Sequence, residues 1–296
     1  MTNAFQINRM VKTYPGFQLG PLDLALEPGK IMGYVGINGA GKTTTMYCLV
    51  GLVRADAGEV KIFGRPNNLN RPAWKLDVGY VGDQHVFYER WTAEENLNFL
   101  VRFYPGWSAG KAQDLARRLR LPLEKRARDL STGNRVKLAL VAALAHSPKL
   151  LLLDEPTAGL DPVVRLEVLD ELMEVIQDEE RAIFYSTHIL ADIKRLVDDL
   201  VFLDQGRIIL RSAKDDLVEK WRTITFYSDR TIGAVDAAVQ IRHEGRAHQV
   251  ISSDHEATLA HLRTLEVEIR ELHYLPVEEI AVQIIKGGSR VAAGQS

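Results

Sequence analysis

The chain has 296 residues, a formal net charge of −2 and 26% charged residues. Near-neutrality argues against a nucleic-acid binder held by bulk phosphate attraction. A single cysteine, Cys48, excludes an intramolecular disulfide and favours a reducing compartment.

The opening stretch MTNAFQINRMVKTYP has no apolar run of the signal-peptide type. No window approaches the roughly 18 to 20 apolar residues of a membrane span, so any work at a membrane requires another chain to supply the span. Residues 5–34 alternate and predict strands near 5–12, 22–27 and 30–35, with turns at Tyr14-Pro15-Gly16 and Glu27-Pro28-Gly29. A glycine-rich turn and a helix from about Gly41 follow. Short strands are expected at 61–63 and 78–81. From about 92 to 147 the pattern is helical, with Ala112, Leu115, Ala116 and Leu119 at helical spacing.

Leu150 to Leu153 is apolar without a period, as in a parallel strand buried on both faces. A helix over 163–177, a strand over 182–185, a helix over 189–197 and a hairpin over 199–210 continue an α/β pattern. The character changes near 213. Alternating stretches at 222–227, 247–252 and 266–272, with helices near 255–264 and 276–285, predict a small α+β appendage. The tail 286–296, rich in Gly, Ala and Ser, is expected to be disordered. Five of the eight histidines follow residue 240, but no pair has the i, i+4 spacing of familiar metal motifs.

Two motifs carry chemistry. Gly36-Ile37-Asn38-Gly39-Ala40-Gly41-Lys42-Thr43 is a G-x-x-x-x-G-K-T loop between a predicted strand and a predicted helix. Its glycines let backbone N–H groups surround phosphate oxygens, and the helix N-terminus adds its positive dipole end. Lys42 is expected to reach the β- and γ-phosphates, Thr43 to ligate Mg²⁺ and Thr44 to bond the α-phosphate. In Leu150-Leu151-Leu152-Leu153-Asp154-Glu155, two carboxylates emerge at the C-terminal end of a buried strand, where α/β sheets bind ligands. Asp154 is expected to hold Mg²⁺ through water, and Glu155 to polarise an attacking water. Alone, Leu130-Ser131-Thr132-Gly133-Asn134 reads as an N-cap ahead of an apolar helix.

Taken together, residues 1–212 resemble an ATP-binding-cassette (ABC) ATPase subunit. The resemblance rests on elements in the family's order. Tyr14 matches the aromatic that stacks on adenine, and Gly36 to Thr44 match Walker A. Gly79 to Gln84, leading to Thr92-Ala93-Glu94-Glu95-Asn96-Leu97, match the Q-loop region, and Leu130 to Asn134 the signature. Leu150 to Pro156 match Walker B, Ala158 to Asp161 the D-loop, and Ser186-Thr187-His188 the H-loop. The signature reads LSTGN in place of LSGGQ but keeps Ser131 and Gly133. Family spacing puts Asp83 at the usual glutamine position and Gln84 one residue later. Both are candidate Mg²⁺ ligands, with a lean to Gln84. Phe103-Tyr104-Pro105-Gly106-Trp107 and Ala145-His146-Ser147-Pro148 resemble bacterial ABC-2-type exporter ATPases of the bacitracin- and lantibiotic-resistance kind.

The resemblance implies an α/β P-loop cassette over 1–212 with a helical subdomain at about 85–147, and an α+β accessory domain over 213–285. It implies ATP and Mg²⁺ as cofactors, Glu155 and His188 as catalytic residues, and Ser131, Thr132, Gly133 and Asp161 acting across a dimer. The implied partners are a separately encoded multi-span permease and a second cassette, at the cytoplasmic face of a bacterial inner membrane. The alternative is a soluble ABC ATPase of DNA repair or translation. A single Walker A and the absence of a heptad insertion speak against it.

Overall fold

The computed structural model describes residues 2–68, 70, 72–230 and 232–293. In chain order its first part runs β1 (Phe5–Tyr14), β2 (Phe17–Leu26), β3 (Ile31–Val35), α1 (Lys42–Leu49), β4 (Ala57–Ile62), β5 (Arg65–Pro66), β6 (Val78–Val81), α2 (Ala93–Leu100), α3 (Ala109–Arg118), α4 (Thr132–Leu144), β7 (Leu150–Asp154), α5 (Pro162–Ile176), β8 (Ala182–Thr187), α6 (Leu190–Leu196), β9 (Asp199–Asp204) and β10 (Arg207–Ala213). The turn signal at Tyr14-Pro15-Gly16 closes a tight hairpin with Tyr14 opposite Phe17, so β2 starts earlier than expected. The antiparallel sheet β2-β1-β4-β5 is built on that hairpin.

A second sheet has the order β10-β9-β3-β8-β7-β6. Its pairs β9-β3, β3-β8, β8-β7 and β7-β6 are parallel. β3, β7 and β8 are buried at every position, which is why their sequences are apolar runs without alternation. Phe184 of β8 anchors the core. Its ring lies 5.0 Å from those of Phe5 and Tyr34, joining the two sheets. Burying such a ring fully contributes about 2–3 kcal/mol.

The helices α2, α3 and α4 fill the segment expected to be helical. Thr92 starts α2 with a capping box to Glu95. Ser108 caps α3 and Ser131 caps α4. Among the described residues, no helix is long and apolar enough to cross a membrane.

The chain divides into two compact units, residues 1–209 and 210–296. The second holds α7 (Lys214–Lys220), β11 (Arg222–Tyr227), β12 (Ala238–Glu244), β13 (Ala247–Ser252), α8 (His255–Thr264), β14 (Glu268–Tyr274) and α9 (Val277–Ala293). Its antiparallel sheet runs β12-β13-β11-β14 around Ile224, Phe226, Val250 and Leu262. The strand β12 was not foreseen, because AVQIRHE is an edge strand with no fully buried position and a weak alternation. The tail from Lys286, expected to be disordered, is drawn in the structure partly as helix. The helix begun at Val277 continues through Gly287 and Gly288 to Ala293, carried by the apolar segment that starts it, and residues 294–296 lie outside the described set.

His146 gives this fold a pH signature. It is buried, its ring stacks on Tyr104 at 4.1 Å, and Nε2 donates to Val78 O at 3.3 Å. Burial pushes its pKa below the ordinary 6.5. The unfolded chain therefore takes up a proton that the folded chain refuses, so this site's stability is full above 6.5 and is lost as pH falls below it. In urea titrations His146→Gln should lose less stability than the wild type between about pH 7 and about pH 5. An equal acid loss in both proteins would remove His146 as a source.

Candidate functional site

The site stands at the C-terminal ends of β3, β7 and β8. Gly36 follows β3, and a Cβ there would meet Leu203 O at 2.6 Å, so only glycine lets the loop leave the sheet. Gly41 caps α1 at φ +111 with Phe17 and Leu19 against it, a backbone conformation that a side chain would strain. The loop between them leaves Ile37, Asn38 and Gly39 exposed and Ala40 buried. Thr43 and Thr44 open α1, half-buried.

Lys42 is buried on α1. Its ammonium donates to Gly36 O at 2.7 Å and Ile37 O at 3.1 Å, and pairs with Glu155 Oε1 at 3.0 Å. The other Glu155 oxygen is bonded to His188 Nδ1. Glu155 holds φ +53, outside the ordinary range for a side-chain-bearing residue. Such a conformation costs about 1–3 kcal/mol and is found mostly where surroundings over-determine it. Here the Glu155 N–H donates to Ser186 Oγ at 3.1 Å and Ser186 O at 3.2 Å. Thus Ser186 on β8 aims the carboxylate.

Asp154 is fully buried at the end of β7. One oxygen accepts from Ser186 Oγ at 2.6 Å, and the other, Oδ2, is buried without a partner. Burial first, and the charges of Asp83 and Glu155 after it, hold the Asp154 carboxyl above the usual carboxylate range, while Ser186 and Thr43 hydroxyls pull the other way. A buried carboxylate oxygen without a donor is a group that a cation could satisfy. Among the described residues no cluster of three or more His, Cys, Asp or Glu has metal-holding geometry. Mg²⁺ needs none, since it takes one or two carboxylates and fills its shell with water and phosphate oxygens.

Asp83 is within electrostatic reach of Asp154, whereas Gln84 lines a cavity of about 390 Å³ together with Tyr80, Tyr104 and His146. The lean toward Gln84 therefore has the weaker geometric support. Tyr14 ends β1, 39% exposed, with the Lys12 ammonium 5.5 Å from its ring centre.

The remaining expected residues gather elsewhere. Ser131 accepts from Asn134 N–H at 3.3 Å, and Thr132 is exposed beside it. A Cβ on Gly133 would meet Val164 at 3.0 Å, so the α4 start packs on the α5 start. Asp161 caps α5, accepting from Val163 and Val164 N–H at 3.1 Å. Among the described residues, no hydrogen bond or ion pair joins these four to the Lys42–Glu155 cluster.

Arg135 escaped the sequence reading. It donates to Glu89 at 2.8 and 3.1 Å, to His85 O at 2.8 Å and to Ala127 O at 2.9 Å, tying the segment after Gln84 to α4. A cation in the first turns of a helix works against the dipole, and that misfit was the available signal.

A family model described as ABC transporter matches residues 19–158. The ABC transporter ATP-binding protein YtrB of Bacillus subtilis is 32% identical over 228 residues, covering 77% of this chain and 78% of the relative. Nod factor export ATP-binding protein I of Cupriavidus metallidurans is 33% identical over 74% of both chains. The bacitracin transport ATP-binding protein BcrA of Bacillus licheniformis is 32% identical over 68% of this chain and 66% of the relative. A solved ATP-binding subunit of an ABC transporter superposes with a TM-score of 0.66 at 28% identity, covering 73% of this chain and 92% of that one.

Ser186→Ala tests the scaffold of the site. It strips Asp154 of its 2.6 Å donor and should cost about 1–3 kcal/mol of unfolding free energy in chemical denaturation. Unchanged stability would mean that Ser186 contributes nothing to holding the two acids.

Proposed function

The chain belongs to the ABC transporter family, and from that premise we propose how it works. It binds and hydrolyses ATP, and it is the ATP-hydrolysing subunit of an ABC-2-type exporter, a reading supported by relatives named for Nod factor export and bacitracin transport. The observation that carries the mechanism is the meeting of Lys42 and His188 on the two oxygens of Glu155, beside buried Asp154.

In this reading Tyr14 stacks on the adenine, and the loop Gly36 to Thr44 surrounds the phosphates. The γ-phosphate competes with Glu155 for the Lys42 ammonium. Glu155, released from Lys42, takes up its role as general base toward water. His188 senses the γ-phosphate and keeps Glu155 oriented. Thr43, Asp154 and one of Asp83 or Gln84 would hold Mg²⁺, and the unpartnered Asp154 Oδ2 beside the Thr43 hydroxyl fits that assignment. The bound cation would neutralise charge on the phosphate oxygens.

Ser131, Thr132, Gly133 and Asp161 complete the ATP site of a second cassette in a head-to-tail dimer. Dimer closure moves a separate multi-span permease through the surface from Asp83 to Leu97. The chain sits peripherally on the cytoplasmic face of a bacterial inner membrane, held by that permease. We divide it into a nucleotide-binding domain over 1–212, with its helical subdomain at about 85–147, and an accessory domain over 213–285. The accessory domain carries none of the phosphate-site residues, and its role lies in dimer stability or permease coupling.

Glu155→Gln keeps the side-chain shape and removes the base. Bound ATP should persist, while turnover falls by about two to four decades and a nucleotide-trapped dimer accumulates on size exclusion. Near-normal hydrolysis would place the base elsewhere.

A second test separates the two candidate metal ligands. ATPase activity titrated against Mg²⁺ should shift to a higher requirement in Asp83→Ala and stay nearly unmoved in Gln84→Ala, because Asp83 is within electrostatic reach of Asp154 whereas Gln84 lines the neighbouring cavity. The reverse pattern would assign Gln84, and two unmoved curves would remove this loop from the metal site.

A further inference from the structure

Asp192 on α6 is a fully buried carboxylate with three donors from three other segments. Its Oδ2 accepts from Thr157 Oγ1 at 2.6 Å and from Tyr185 OH at 2.8 Å, and its Oδ1 from Arg165 Nε at 2.6 Å. Thr157 lies two residues beyond Glu155, in the loop that leaves β7. Tyr185 lies on β8, three residues before His188. Arg165 lies in the first turns of α5, and its N–H bonds Asp161 O at 3.0 Å. Burial, and the charge of Asp192 after it, hold the Tyr185 hydroxyl well above its ordinary pKa, so it remains a donor.

A carboxylate in this place is weak support for stability, since desolvation offsets its attraction to Arg165. Well-packed apolar side chains would serve the core as well. What the charge adds is one permitted arrangement. Thr157, Tyr185 and Arg165 can all be satisfied only if the loop after β7, the end of β8 and the start of α5 hold fixed relative positions.

We propose that Asp192 is a positioning residue that joins the Glu155–His188 pair to Asp161, so that the state of one ATP site is passed through Arg165 to the segment facing the other protomer. The inference rests on the head-to-tail dimer of the preceding section. A shift at His188 moves the start of α6, Asp192 carries Arg165 with it, and the first turn of α5 carries Asp161. Thr157 makes the same carboxylate answer to Glu155.

The test uses the full chain and three variants: Asp192→Asn, Arg165→Met and the two combined. Each is measured for ATPase rate against ATP concentration, for equilibrium binding of a fluorescent ATP analogue, and for Tm. An asparagine still accepts from Thr157 and Tyr185 but presents its amide to Arg165, so the α5 link alone is broken. Both single variants should bind the analogue as the wild type does, lose about tenfold in kcat, and fall from a Hill coefficient near two to near one. Each single variant also lowers Tm, because it strands a buried charge or its partner.

The combined variant removes both charges, so Tm should recover toward the wild-type value while the Hill coefficient stays near one. Recovery of cooperativity along with Tm would reduce Asp192 to a structural role and overturn the proposal. So would a folded single variant with wild-type cooperativity. A wild-type Hill coefficient of one, or cooperative variants beside a cooperative wild type, overturns this inference alone, whereas an ATP-bound Glu155→Gln chain that elutes as a monomer on size exclusion would sink the dimer reading and this inference with it.

Discussion

The buried carboxylate of Asp154, with Glu155 and the Lys42 ammonium beside it at the ends of β3 and β7, sets the electrostatics on which the rest of the site depends. Asp154 is buried, and Asp83 and Glu155 add their charges to its own desolvation. Lys42 answers only part of this, through Glu155 at 3.0 Å. A surplus of buried negative charge costs free energy unless a cation joins it. Phosphates alone would add further negative charge beside Asp154, and in the proposed reading a divalent cation offsets part of it.

The parallel sheet is what lets such a cluster exist. Buried strands end at a common edge, and the chain must turn sharply there, at Gly36 after β3 and at Glu155 after β7. The turns bring Lys42, Asp154, Glu155 and His188 to one place although they are far apart in sequence. Ser186 locks the arrangement by bonding both Asp154 and the backbone of Glu155. A hydroxyl suits this task, because it accepts from an N–H and donates to a carboxylate at once.

The parts legible in sequence are those whose physics is local. The glycine loop, the apolar run ending in Asp154-Glu155, and the cap at Ser131 each announce themselves within a few residues. Contacts across distant segments were not legible. Nothing near Arg135 indicates that it reaches His85 and Glu89, and nothing near Asp192 indicates Thr157 and Arg165. The Asp83–Gln84 choice was not legible for a similar reason. Side-chain identity favoured Gln84, but which residue turns toward Asp154 depends on the direction in which β6 delivers the chain. In the second unit β12 was missed because an edge strand needs only one partner, and its composition is correspondingly free.

The residues proposed to face a second cassette share one support. Gly133 packs on Val164, one turn from Asp161, so the starts of α4 and α5 touch. Lys137 of α4 pairs with Glu167 of α5 at 2.6 Å, and Arg118 of α3 pairs with Glu171 of α5 at 2.6 Å. Lys137 and Glu171 are nearly buried, so these pairs are screened less than surface ones. Ser131, Gly133 and Asp161 are therefore held in fixed relation to one another by contacts between α4 and α5.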